Sequence, residues 1–267
     1  MSSQAAFLAR VRRALDAQSA THVSPTSVKA AAVVPGETMP QLRARLATQR
    51  PALLARVQEE LTAVGGIVTC VQSAAQATHY ITQLARHKEA ALIVRWQAAI
   101  LEGLEIDAAL QQQGIDVHSA ALPAAVEVET AAGQAMMEAR RRELRQVVAG
   151  ADLCLSRVDS VIAETGTLVL SALPGQMRGV SLLPPVHVAV ARSEQVVAKM
   201  ADYLALLRAD GANLQHRLTS CISFVTGPSR TGDIELALTT GVHGPGELHR
   251  VIIDEPEALT VEPLEEI

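Results

Sequence analysis

The sequence predicts an α/β fold, a twisted and mainly parallel sheet with flanking helices, on three observations. Hydrophobic residues make up 49% of the 267 positions while aromatic residues make up only 2%, so the core must be assembled from Ala, Val, Leu and Ile. Between residues 67 and 118, short β-branched runs alternate with helical stretches, the rhythm of β-α-β units joined by right-handed crossovers. After Gly150 the strands become short and closely spaced, which adds sheet edges and loops to that frame.

Residues 5–17 place Phe7, Leu8, Val11 and Leu15 along one side of a short amphipathic helix, suited to docking. Residues 18–40 carry Ser, Thr, Gly and the prolines Pro25, Pro35 and Pro40, and read as a linker. Helical pattern resumes at 41–49 and at 51–64, with Pro51 suited to a first turn and Gly65-Gly66 as the stop. Ile67–Val71 is a β-branched strand, Ser73 caps a helix reaching about Arg86, and residues 91–94 form the next strand. A helix over 106–113 stops at Gly114 before a strand at 115–118. The helix over 133–148 turns Met136, Met137, Leu144, Val147 and Val148 inward and Arg140, Arg141, Arg142 and Arg145 to solvent. Strands follow at 152–158, 161–163, 167–171 and 186–191, with a turn at Leu173-Pro174-Gly175-Gln176. A helix over 193–209, a buried strand Ile222–Val225, a helix from Ile234 to Leu238 and a last strand at 250–254 complete the pattern. The chain thus divides into a helix and linker over 1–50, a main domain over 51–254 and an acidic tail over 255–267.

Composition excludes several function classes. The net charge is −5 and no basic run lies beside stacking aromatics, which leaves nucleic acid without an electrostatic footprint. Cys70, Cys154 and Cys221 form no C-x-x-C pair and no Cys/His cluster at ligand spacing, so the expectation is no zinc or iron–sulfur site in this chain and three thiols acting as small buried hydrophobes. No signal peptide is recognisable, and no segment approaches the roughly 20 apolar residues of a membrane span. These features predict a cytoplasmic protein.

Three segments carry chemistry. In Ala163-Glu164-Thr165-Gly166-Thr167, an acid sits in a sharp bend that Gly166 permits, with two hydroxyls beside it. Glu164 is a candidate base, nucleophile or ligand contact, against the alternative of a solvated turn residue. Residues 226–235 leave a buried strand and enter an apparent helix, the position at which α/β folds bind ligands. There Ser229, Arg230, Thr231 and loop amides can hold an anion locally, and Asp233 either joins them or caps the helix. Residues 241–249 pack Gly241, Gly244 and Gly246 with His243 and His249; Gly244 allows close backbone approach and His243 can donate a hydrogen bond or shuttle a proton. This loop matches neither G-x-G-x-x-G nor the P-loop pattern. Arg178, past the 173–176 turn, is a candidate lid contact or a surface residue; His187 is expected at the core edge, and Trp96 is expected to cover the sheet.

Together, Ala163-Glu164-Thr165-Gly166-Thr167, Ser181-Leu182-Leu183-Pro184 with His187, Gly227-Pro228-Ser229-Arg230-Thr231 with Asp233-Ile234-Glu235, and Gly241-Val242-His243-Gly244-Pro245 resemble the LUD domain of the lactate-utilization protein C family. The resemblance spans roughly residues 151–254. It implies a fold similar to the NagB/RpiA/CoA-transferase-like group, which includes 5-formyltetrahydrofolate cyclo-ligase. It also implies a part in oxidising L-lactate to pyruvate beside iron–sulfur partner proteins that carry the clusters, with no cofactor held in this chain. A small-anion or acyl-ligand pocket built from Glu164, Thr165, Gly166, Thr167, Arg178, Ser229, Arg230, Thr231, Asp233, His243 and Gly244 follows from the two lines combined. Two alternatives stay open: a stand-alone acyl- or CoA-transferase-like enzyme with Glu164 as nucleophile, and an ATP-dependent enzyme like the cyclo-ligase.

Overall fold

A computed structural model describes residues 37–121, 131–173, 175–209, 221–232 and 238–255. The expected helix at 5–17, all but the end of the expected linker, Asp233, and the tail from residue 256 lie outside the described residues.

Helix α1 (Met39–Ala63) opens where the Thr38 N–H donates to Gln41 Oε1 at 2.8 Å. The two expected helical pieces are one: Pro51 lies inside α1. The helix forgoes one N–H there, and burial of Leu42, Leu46, Val57 and Leu61 on both sides of the proline holds it together. Strand β1 (Ile67–Val71) follows, then α2 (Ala74–His87), β2 (Leu92–Arg95), the short α3 (Ala99–Glu102) and α4 (Ile106–Gln111), and β3 (Asp116–Ser119). Ser73 caps α2 as expected, its side chain accepting from the Gln76 N–H, and Ala77, Ile81, Leu84 and Ala85 line its buried face. Helix α5 (Ala131–Ala149) precedes β4 (Leu153–Arg157), and its arginines Arg140, Arg141, Arg142 and Arg145 are exposed as expected. Leu144 and Val148 are buried, but Met136, expected inward, is 55% exposed.

Strands β5 (Ser160–Ile162), β6 (Thr167–Ser171), β7 (Val186–Arg192) and β8 (Val196–Val197) come next, then α6 (Met200–Ala209), β9 (Ile222–Val225), β10 (Arg230–Gly232), β11 (Leu238–Thr240) and β12 (Glu247–Ile253). The helix expected over 193–209 is overturned in its first half. Ser193–Gln195 is a 3₁₀ turn and Val196-Val197 a strand, because the β-branched pair meets β5 through Val161↔Val196 and Ile162↔Val197. The last strand begins at Glu247, three residues before the expected Arg250.

The main sheet has the order β1-β12-β7-β4-β2-β3. Every pairing in it is parallel, which requires cover on both faces and explains why β4 and β7 are buried almost throughout. A second sheet, β8-β5-β6-β9, is built on antiparallel β5–β6 and β6–β9 pairs. Trp96 is buried, as expected of a sheet cover, and its Nε1–H donates to the Met177 carbonyl at 2.8 Å. Cys154 is buried, but Cys70 is exposed on β1, an outer strand of the main sheet, contrary to the expectation for all three thiols. Glu255, expected in a loose tail, accepts the Ala74 N–H at 3.0 Å at the start of α2, a favourable place for a carboxylate. No described helix is long and apolar enough to cross a membrane.

Candidate functional site

Hydrogen bonds tie the three segments together at one end of the main sheet. Gly166 makes the β5–β6 turn at φ 64°, and a Cβ on it would stand 2.6 Å from Leu61 of α1. This close approach fixes the turn against the C-terminal end of α1. The Thr165 and Thr167 hydroxyls are 2.7 Å apart, and Thr167 Oγ1 lies 2.9 Å from Thr226 Oγ1, so a chain of three hydroxyls joins the first segment to the second. Glu164 is exposed, and its N–H donates to the Ala198 carbonyl at 3.0 Å. The second and third segments meet at Ser229. Its N–H donates to Pro245 O at 2.8 Å, its carbonyl accepts the Gly241 N–H at 3.0 Å, and its Oγ accepts the His243 N–H at 3.3 Å. Gly244 packs on the same serine, where a Cβ would lie 3.4 Å from Ser229 Cβ.

Two details of this cluster correct the expectation. Arg230–Gly232 pairs antiparallel with Leu238–Thr240, so Thr231 stands opposite Thr239, and Leu238, expected as the end of a helix from Ile234, is a strand residue; the rest of that expected helix lies outside the described residues. The cluster also lies at the N-terminal ends of β1 and β12, not beyond the strand C-termini where α/β folds usually bind ligands. Gly227 packs on Val64, and the Arg230 guanidinium reaches back to donate to the Val64 carbonyl. A cation at the C-terminal end of the 25-residue α1 meets the negative end of the helix dipole, so part of Arg230's bonding capacity holds the corner of the fold. Arg178 is exposed on a 3₁₀ turn whose neighbour Met177 is held by Trp96, and none of its described bonds reaches the three loops. Two shallow depressions of the described surface, beside Ala85 and Gln112 and beside Glu102 and Asp107, are lined by none of the loop residues.

The sequence reading missed a buried cation beside these loops. Arg250, on β12, is 1% exposed; its Nη2 donates to the carbonyls of Thr226 at 2.9 Å and Val225 at 3.3 Å, while Nε and Nη1 have no hydrogen-bond partner among the described residues. Burial pushes its pKa down to about 9, so it remains a cation at neutral pH. The pairings Leu248↔His187, Arg250↔Ala189 and Ser156↔Ala189 put Ser156, His187 and Arg250 on one face of the sheet. His187, expected at the core edge, is 1% exposed and its Nε2 lies 2.7 Å from Ser156 Oγ. Burial, with Arg250 and then His249 as lesser contributors, pushes the His187 pKa down to about 3, so it is neutral. The readable signal for Arg250 was a cation inside an otherwise apolar run.

The opposite face of β12 carries a second polar group. Tyr80 OH lies 2.8 Å from His249 Nδ1, His249 Nε2 lies 3.3 Å from Glu247, and Glu247 pairs with Lys88 at 2.5 Å. Burial lowers the His249 pKa against the opposing pull of Glu247, and the Lys88 hydrogen bond lowers that of Glu247.

Comparison with known proteins gives a consistent set of relatives. The model of the LUD domain family matches residues 54–253. Lactate utilization protein C from Shouchella clausii (strain KSM-K16) is 38% identical over 108 residues, covering 39% of this chain and 45% of that protein. The protein of the same name from Macrococcus caseolyticus (strain JCSC5402) is 35% identical over 118 residues, covering 44% and 51%. The chain therefore spans about half the length of the curated relatives it matches. Among solved structures, a DUF162 family protein from Deinococcus radiodurans is 21% identical with a TM-score of 0.49, covering 76% of this chain and 98% of that one.

Proposed function

The chain belongs to the LUD domain family, and from that membership we propose that it serves in L-lactate utilization, as a subunit that holds a small anionic or acyl ligand beside iron–sulfur partner proteins. Conversion of L-lactate to pyruvate removes two electrons and two protons. In this reading the electrons pass to clusters in the partners, while this chain binds and orients. The observation that carries the ligand half is the convergence of three motif loops, joined through Thr167–Thr226 and Ser229–His243, on a corner that also holds a buried cation. The Thr165 and Thr231 hydroxyls, the free part of the Arg230 guanidinium, His243 and the glycine-lined turn at Gly244 are the contacts this reading assigns to the ligand. Deletion of the gene tests the pathway half. Growth on L-lactate should be lost and then restored by the intact chain, with growth on glucose kept throughout; a deletion strain that oxidises lactate normally would overturn the assignment.

One observation favours a second reading, an acyl- or CoA-transferase-like reaction with Glu164 as nucleophile. Glu164 is exposed at a turn held by Gly166, next in sequence to Thr165, where the chain of hydroxyls begins. In that case the carboxylate would displace the thiolate of an acyl-CoA, giving a mixed anhydride and free CoA. Intact mass after incubation with acyl-CoA, with Glu164→Gln as control, separates the two readings.

A further inference from the structure

The hydroxyl chain that joins the first two loops has more protons than bonds. Thr165, Thr167 and Thr226 carry one hydroxyl proton each, and the contacts Thr165–Thr167 at 2.7 Å and Thr167–Thr226 at 2.9 Å use two of the three. The middle residue decides which arrangements are open. Thr167 is 5% exposed, and its hydroxyl makes no other bond among the described residues. Accepting from both neighbours would bury its own proton unpaired, so it donates to one and accepts from the other. The chain runs head to tail, and the spare proton stands at one end, on Thr165 or on Thr226, both of which are exposed.

Charge chooses the end. The buried guanidinium of Arg250 donates to the Thr226 carbonyl at 2.9 Å, so a cation stands against Thr226. O–H dipoles in line with a cation turn their positive ends away from it. Thr226 then donates to Thr167, Thr167 donates to Thr165, and the spare proton emerges on Thr165. We propose that this chain is a polarised relay that makes the Thr165 hydroxyl the donor to an oxyanion, a carboxylate or a phosphate, with Thr167 and Thr226 as the residues that position its proton. Each link strengthens the next, and burial of the middle hydroxyl keeps water from competing for it. Arg250 and Thr226 thereby serve the site without touching the ligand. Glu164, next in sequence to the donor, is exposed, which leaves its like charge screened by water. The relay rests on the ligand half of the proposed function and is independent of the pathway half.

The test uses the full chain and titration calorimetry with sodium pyruvate, sodium L-lactate and inorganic phosphate at matched ionic strength, with thermal unfolding to confirm that each variant folds. The unaltered protein should bind at least one of the three saturably. Thr165→Val should lose about tenfold or more of that affinity, as expected for a lost hydrogen bond to a charged group. Thr167→Val, which leaves both exposed neighbours to water, should lose about threefold or more. Thr167→Ser restores the hydroxyl and should bind as the unaltered protein does. Thr226→Val keeps one link and should lose about twofold; it decides the matter if Thr167→Val does not fold. Unchanged binding by Thr167→Val or, where that variant does not fold, by Thr226→Val would overturn the relay alone. So would a loss in Thr167→Ser equal to that in Thr167→Val, or a larger loss from Thr226→Val than from Thr165→Val, which would mean the opposite polarity. No binding of any probe by the unaltered protein would overturn the relay together with the ligand half of the proposed function.

Discussion

Replacing His187 with Gln should flatten the acid limb of the stability curve. The folded His187 takes up a proton only near pH 3, whereas an exposed histidine does so near 6.5. Between these values the unfolded chain binds the extra proton, so stability is complete above pH 6.5 and is lost as the pH falls. Each pH unit in that window is worth about 1.4 kcal/mol, which amounts to about 3 kcal/mol by pH 4.5. Gln can still hydrogen-bond Ser156 but has no proton to take up. Urea unfolding followed by circular dichroism at pH 7.5 and 4.5 should therefore show a loss about 3 kcal/mol smaller in His187→Gln. His249, which is retained in both proteins, contributes equally and cancels. Parallel pH dependences, differing by less than about 0.5 kcal/mol, would show that His187 is not held neutral by burial and would refute the reasoning.

Three further outcomes are expected. Gly166→Ala combines a left-handed φ of 64° with a 2.6 Å approach to Leu61, and should cost about 2 kcal/mol or more in chemical denaturation; a neutral result would mean that the turn is not seated on α1. Asp202 is 2% exposed and pairs with Arg45 at 2.9 Å, so Asp202→Asn should lose about 1–3 kcal/mol; if high salt weakened the unaltered protein by as much, the pair would instead be behaving as a surface contact. Alkylation of the native protein should modify the exposed Cys70, faster as pH rises because burial and Asp254 raise its pKa, and should spare Cys154, whose thiol burial pushes far up. Peptide mass mapping that finds Cys154 modified before unfolding would contradict its burial.

Strand positions were legible because short apolar or β-branched runs mark them, and β1 of the main sheet and β6 and β9 of the second sheet lie at the residues their runs mark. Errors arose where a distant partner decided the outcome. Val196-Val197 fits a helical stripe as well as a strand, and β5, more than thirty residues upstream, makes it a strand. Pro51 satisfies a first-turn preference, but burial of Leu46 and Val57 on either side carries α1 through it. For the site, composition and turn chemistry located the loops without showing how they meet. Thr167 reaches Thr226 because Leu168 pairs with Val225 in the next antiparallel register, a relation invisible in local sequence. Arg250 stands in the sequence only as the expected start of the last strand; its burial comes from β12 lying between β1 and β7.

That position of β12 bears on how the protein is made. Ile67 pairs with His249 and Val186 with Glu247, so the strand that fills the gap between β1 and β7 leaves the ribosome after nearly all the other described elements. Until it arrives, β1 and β7 present open parallel edges, and every closing contact spans a long loop. Synthesis that pauses or ends before residue 247 would leave a half-sheet prone to self-association, making these last strand residues a checkpoint for folding yield as well as the place where the buried arginine resides.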